Sequence, residues 1–205
     1  MFASRILAAL KARPASEIVG YGVILARNAL GLPNPMRTRD RDTLEKVILP
    51  HYAKRPDIER VLFVGCAWYT RHYEKTFADR VYQTIDPDPW KKRFGACRHI
   101  VAGLEDLAVH VAPGRLDLIV CNGVFGWGLD DRVDCERAFD ACFEALRPAG
   151  ELIIGWNDVL EHRPLELSSL QSLARFRPLT FEPLRSSEYL ANPENRHVFN
   201  FYAKP

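Results

Sequence analysis

The chain has 205 residues, 47% of them hydrophobic and 26% charged, with a net charge of +2. This length suits one domain, or one domain with a small appendage, and is enough to bury a sizeable core. The charge argues against a nucleic-acid partner, because the longest basic cluster is Arg37-Thr38-Arg39-Asp40-Arg41, which reads as the solvated start of a helix.

The first stretch, "MFASRILAALKARPAS", has no acid before Glu17. "IVGYGVILA" is apolar but ends at Arg27, far short of the ~20 residues of a spanning helix. No small-residue cleavage site follows it. Residues 4–30 read as helix broken near Pro14, and residues 1–40 as a helical cap; peripheral membrane contact through a basic helix is the alternative. "GLPNP" at 31–35 is a linker, and "RDTLEKVILPHYA" places Leu44, Val47, Ile48 and Tyr52 at helical spacing.

From Ile58 the pattern alternates through the 41–205 domain. Apolar strands are expected at 60–65, 81–85, 99–102, 116–121 and 151–156. Helices are expected between them at 71–78, 89–94, 104–111 and 132–147, and another at 165–176. Nearly continuous apolar strands alternating with helices imply an α/β fold, a parallel sheet covered on both faces. "LTFEPL" and "HVFNFYAK" then follow with no helix between them, the pattern of an antiparallel hairpin completing the five parallel strands. Cys66, Cys97, Cys121, Cys135 and Cys142 form no CxxC pair, which argues against a metal site and suits free thiols in a reducing, cytoplasmic setting.

Ligands of open α/β sheets bind beyond the carboxyl ends of the strands. Here those ends read "GCAWYT", "IDPDPW", "AGLEDLA", "CNGVFGWGLDD" and "GWND". Asp86, twenty-one residues beyond Gly65, is placed to accept both hydroxyls of a ribose. Its other reading is a helix N-cap.

In this order the segments resemble class I S-adenosylmethionine-dependent methyltransferases. "VLFVGCAWY" stands where that family carries its VLDxGCGxG loop, and "TIDPD" matches its ribose-binding acid. "HIVAGLEDLA" resembles its adenine-contacting segment, "LDLIVCNGVFGWGLDD" its fourth strand and turn, and "ALRPAGELIIGWND" its LkPGGxlxxg turn and fifth strand. "RHVFNFYAKP" resembles its seventh strand. The resemblance implies a Rossmann-like methyltransferase fold that binds S-adenosyl-L-methionine through Gly65, Cys66, Ala67, Tyr69, Asp86, Pro87, Leu104, Glu105, Asn122 and Gly123. Trp127, Trp156, Asn157 and Asp158 are then expected to face a small-molecule acceptor, a sugar or secondary metabolite before a protein or RNA.

The sequence also departs from the family pattern. Phe63 replaces the acid that helps hold the methionine amino group, and Ala67 and Tyr69 replace the second and third loop glycines. A non-catalytic binding or scaffold protein with the same fold is therefore the second reading. Dinucleotide binding needs glycine at 65, 67 and 70, where the chain has Gly65, Ala67 and Thr70. Phe125 and Trp127 are either aromatic faces for a sulfonium or substrate, or core residues. Glu105, Asn157 and Asp158 have alternative readings as helix caps. No general base stands out; Asp130, Asp131 and Asp158 qualify only by position.

Overall fold

The computed structural model describes residues 15–205 apart from 31 and 35; the helix expected before Pro14 lies outside the described residues. Helix α1 (Ala15–Ala29) leads to α2 (Arg39–Thr43), a π-helical turn (Leu44–Ile48) and α3 (Leu49–Lys54), which run on without a break. Strand β1 (Arg60–Val64), short helix α4 (Tyr73–Thr76), β2 (Val81–Ile85) and β3 (Arg98–Ile100) follow. Next come α5 (Leu107–His110), β4 (Leu116–Asn122), α6 (Arg132–Ala145) and β5 (Leu146–Asn157). The chain then runs through 3₁₀ turns to β6 (Arg177–Pro178), β7 (Glu188–Asn192) and β8 (His197–Ala203).

The strands make one sheet in the order β3-β2-β1-β4-β5-β8, with β6 and β7 both on the far side of β8. β1 to β5 are parallel and β8 runs antiparallel to β5, as the sequence pattern implies. Alternate side chains feed two cores. Val61, Phe63, Leu118 and Val120 pack with Leu44, Ile48 and Tyr52 on one face. Leu62, Val64, Ile119 and Cys121 pack with Cys135, Phe139 and Cys142 of α6 on the other. Because both faces are covered, the central strands carry consecutive apolar residues, Val61–Val64 in β1 and Leu118–Cys121 in β4, rather than one at every second position.

Three expected elements differ. Residues 165–176 form separate 3₁₀ turns, not an α-helix. Buried Leu167, Leu170 and Leu173 recur every third residue, a spacing that a three-residue turn fits as well as an α-helix. "LTFEPL" is not a hairpin strand: Pro183 lies in a 3₁₀ turn, Glu182–Leu184, and β8 pairs instead with the later Glu188–Asn192. The stretch 89–94 is likewise 3₁₀, opened by Asp88, whose carboxylate accepts from Trp90 N–H.

The start of α2 is also not solvated. Asp40 and Arg41 are both buried. Asp40 accepts from Asn192 Nδ2 at 3.0 Å, which ties α2 to the end of β7. The segment before α2 is anchored as well: Asn28 Nδ2 donates to the Trp68 carbonyl at 3.0 Å, and Asn34 Nδ2 donates to Asn28 Oδ1 at 2.8 Å.

Candidate functional site

Two chambers open beyond the carboxyl ends of the parallel strands. The first, about 210 Å³, is bordered by the ends of β1, β2 and β4 and the turns after β3 and β4. All ten residues expected at a cofactor, Gly65, Cys66, Ala67, Tyr69, Asp86, Pro87, Leu104, Glu105, Asn122 and Gly123, border it. The structure thus brings together segments up to 58 residues apart in the sequence, from Gly65 to Gly123.

The glycine-poor loop has a local explanation. Gly65 has φ +83, and a Cβ there would meet Val124 Cγ2 at 2.7 Å, so the first glycine is required. Ala67, Trp68 and Tyr69 need no glycine because none has a positive φ. Thr70 closes the turn instead. Its Oγ accepts from Ala67 N–H at 3.1 Å and has the Ala67 and Phe94 carbonyls at 2.9 and 3.1 Å as acceptors for its single proton, and its N–H donates to Ala67 O at 2.9 Å.

Asp86, almost fully buried, fixes that loop from the other side. One carboxylate oxygen accepts from Cys66 N–H at 2.8 Å and lies 3.3 Å from Lys91 Nζ; the other accepts from Asp88 N–H at 2.9 Å. Asp88 rather than Asp86 caps the following turn. Burial pushes the neighbouring Cys66 thiol up to about 12, and the Asp86 charge adds to the shift, so Cys66 stays protonated. Leu104 is buried, while Glu105 gives no capping hydrogen bond to its 3₁₀ turn and folds its carboxylate over Gly103, where a Cβ would collide with it.

Phe63 does not border the chamber. Its ring lies in the core 5.2 Å from that of Tyr73, so β1 offers no acid to a ligand there. The charged side chain at this end of the chamber is Arg41. It donates to Tyr69 Oη at 3.0 Å and Tyr73 Oη at 3.2 Å, and stacks over the Tyr69 ring at 4.2 Å. Its Nε is buried without a hydrogen-bond partner. Sequence reasoning missed it, because a basic residue between the acids Asp40 and Asp42 resembles a helix surface.

The second chamber, about 550 Å³, shares Arg41, Tyr69, Gly123 and Trp127 with the first and continues to Asp40, Asn157, His162 and His197. Trp127 stands at its rim, stacked on His162 with ring centroids 3.8 Å apart and donating from Nε1 to Asn157 Oδ1 at 3.1 Å. Trp127 and Asn157, two of the residues expected to face an acceptor, border this second chamber. Trp156 does not: successive residues of β5 point to opposite faces, and its indole is buried, donating to Asn200 Oδ1 at 2.8 Å and packing on Phe125. Phe125 is likewise a core residue. Asp158 is held by Arg163 and Arg196 outside the chamber wall, and Asp131 caps α6. Neither Asn157 nor Asp158 caps the next turn.

No protein-family model matches the sequence, and no curated protein matches it. Solved structures do match. N-methyltransferase NodS from Bradyrhizobium japonicum WM9, in complex with S-adenosyl-L-homocysteine, aligns over 82% of this chain and 89% of its own with a TM-score of 0.61 at 16% identity. A TehB-like SAM-dependent methyltransferase from Corynebacterium glutamicum ATCC 13032 Kitasato aligns over 94% of this chain and 100% of its own, TM-score 0.55, at 17% identity. A SAM-dependent methyltransferase from Archaeoglobus fulgidus aligns over 82% and 95%, TM-score 0.55, at 13% identity. The chain has the Rossmann-like fold of class I S-adenosylmethionine-dependent methyltransferases.

Proposed function

We propose that this protein transfers a methyl group from S-adenosyl-L-methionine to a small-molecule acceptor, with a sugar or secondary metabolite favoured over a macromolecule. The observation that carries this reading is the pair of adjoining chambers, one bordered by every residue expected at the methyl donor and the other opening from it through Arg41, Tyr69, Gly123 and Trp127.

The residues fit the donor. Asp86 presents a buried carboxylate with about four acceptor sites, of which two backbone N–H groups and Lys91 take three. A ribose diol takes the fourth and the one from which the half-exposed Lys91 is displaced. Leu104 and Glu105 border the adenine end. At the other end the loop N–H groups and Arg41 face a carboxylate, and backbone carbonyls replace the missing acid at Phe63 for the ammonium. When bound, the donor supplies a methyl already activated by its sulfonium. The chain's own contribution is then to align the acceptor and exclude water, which the shared wall of the chambers does.

Among the described residues no helix is long and apolar enough to cross a membrane. The free thiols support a cytoplasmic setting. Differential scanning fluorimetry with S-adenosylhomocysteine tests the reading. At 100 times its dissociation constant a ligand stabilises by ~2.7 kcal/mol, so a clear rise in Tm is expected. No rise at millimolar ligand would sink it. A rise without turnover on any acceptor would favour the non-catalytic reading, which the burial of Phe63 away from the chamber motivates.

A further inference from the structure

We propose that His197 is the proton acceptor of the second chamber, and that the molecule methylated there is a hydroxyl compound or a weakly basic nitrogen compound that loses a proton as it is methylated. The inference rests on the methyl-transfer reading above and deepens it.

His197 is the first residue of β8, opposite Asn157 of β5, and borders the second chamber. Its Nε2 lies 3.1 Å from Oδ1 of Asn122, which borders the first chamber. A carboxamide oxygen only accepts, so Nε2 carries the ring proton and Nδ1 the lone pair. The oxygen is seated against Gly155, where any Cβ would collide with it, so a glycine on β5 makes room for the group that sets the tautomer. The His197 backbone N–H is held separately by Asn195 Oδ1 at 3.1 Å. Nδ1 has no hydrogen-bond partner among the described residues and is not sealed from the chamber.

The charged groups facing the ring are Asp40 and Arg41 of α2, each fixed by its own partners, Asn192 for Asp40 and the Tyr69 and Tyr73 hydroxyls for Arg41. Burial pushes the imidazole down to about 4, with Asp40 pulling it up and Arg41 pushing it further down. The ring is therefore neutral at physiological pH and its lone pair is available.

An imidazole selects its partner, because even its ordinary pKa of about 6.5 lies well below that of an alkylammonium. As the acceptor's oxygen or ring nitrogen bonds to the methyl carbon, the carbon–sulfur bond breaks and its electron pair stays on sulfur. The acceptor's own proton becomes strongly acidic and passes to Nδ1, leaving an imidazolium that later loses a proton to solvent. An aliphatic ammonium, with a pKa near ~10.4, has no tendency to give its proton to such a ring. The stacked Trp127 and His162 add a flat wall suited to a planar acceptor.

Histidine-¹⁵N NMR on the full chain saturated with S-adenosylhomocysteine is the primary test. A neutral Nε2–H tautomer at pH 6–8 is expected, relaxing to mixed tautomers in Asn122→Ala. An Nδ1–H tautomer, or an imidazolium at pH 7, overturns the proposal whatever the acceptor. A second arm follows methyl transfer from labelled S-adenosylmethionine to a panel of phenols, sugars, ring-nitrogen compounds and aliphatic amines. His197→Gln keeps a donor toward Asn122 but has no basic nitrogen; turnover should fall by about 100-fold with the Tm rise from S-adenosylhomocysteine retained. Undiminished turnover, or a preference for aliphatic amines, overturns the proposal. If the parent protein gains no Tm from S-adenosylhomocysteine, the methyl-transfer reading fails instead.

Discussion

Asp86 has a structural role and a proposed ligand-binding one, which removing the whole carboxylate does not separate. It accepts two backbone N–H groups that shape the loop, and under the proposed function it also receives the ribose. Asp86→Ala leaves both N–H groups without their acceptor, at roughly 1–3 kcal/mol for each one that stays buried. The variant is therefore expected to lose Tm as well as binding, with S-adenosylhomocysteine affinity at least about tenfold weaker. Asp86→Asn keeps one oxygen and should separate the effects, recovering more Tm than affinity. Calorimetry and thermal melts on both variants check this; equal affinity in Asp86→Asn and the parent would remove the ribose role. The residues around this chamber were legible in the sequence because each follows directly from where an apolar strand stops. Arg41 and His197 were not. A buried charge and a surface charge look alike in a sequence, and the partner that fixes the His197 ring is Asn122, 75 residues away.

At the scale of elements, the places where the sequence departs from the pattern of the family it resembles are places where the backbone found another solution. Thr70 staples the loop in place of two glycines. Ala149, where the resemblance expects a glycine, adopts φ +60 at the bulged start of β5. A left-handed alanine costs about 1 kcal/mol, and glycine removes that strain while making the unfolded chain more flexible. Ala149→Gly is expected to be neutral or to stabilise by up to ~1 kcal/mol, read from the urea midpoint at unchanged m-value. Loss of more than ~1 kcal/mol would show that the methyl group has a packing role. The five parallel strands were readable because both of their faces are buried. The partner of β8 was not, because "LTFEPL" and "SEYLAN" have comparable apolar content and only Pro183 distinguishes the turn from the strand.

For the molecule as a whole, the buried His197 makes stability depend on pH in mild acid. His197 is held at about 4 by burial, against an ordinary value of 6.5, and burial lowers His72 and His99 as well. Between those two values the unfolded chain binds a proton at His197 that the folded chain does not, so stability rises with pH through that window. The contribution is complete above about pH 6.5 and declines toward pH 4, on the order of 3 kcal/mol for His197 alone. The Tm is expected to drop between pH 7 and 5 in the parent and to drop less in His197→Gln. Equal slopes would mean that the ring is not buried neutral.

β8 lies between β5 and the β6–β7 edge, and it supplies Val198 to one core and Phe199 and Phe201 to the other. This has a consequence for the order of folding. During synthesis, β1 to β5 emerge and can pair while the outer edge of β5, apolar along most of its length, still has nothing to bond to. An open edge of this kind recruits other chains. Until β8 leaves the ribosome, the partly made protein is at its most prone to aggregate, and the strand that ends this exposure also delivers His197 to the second chamber.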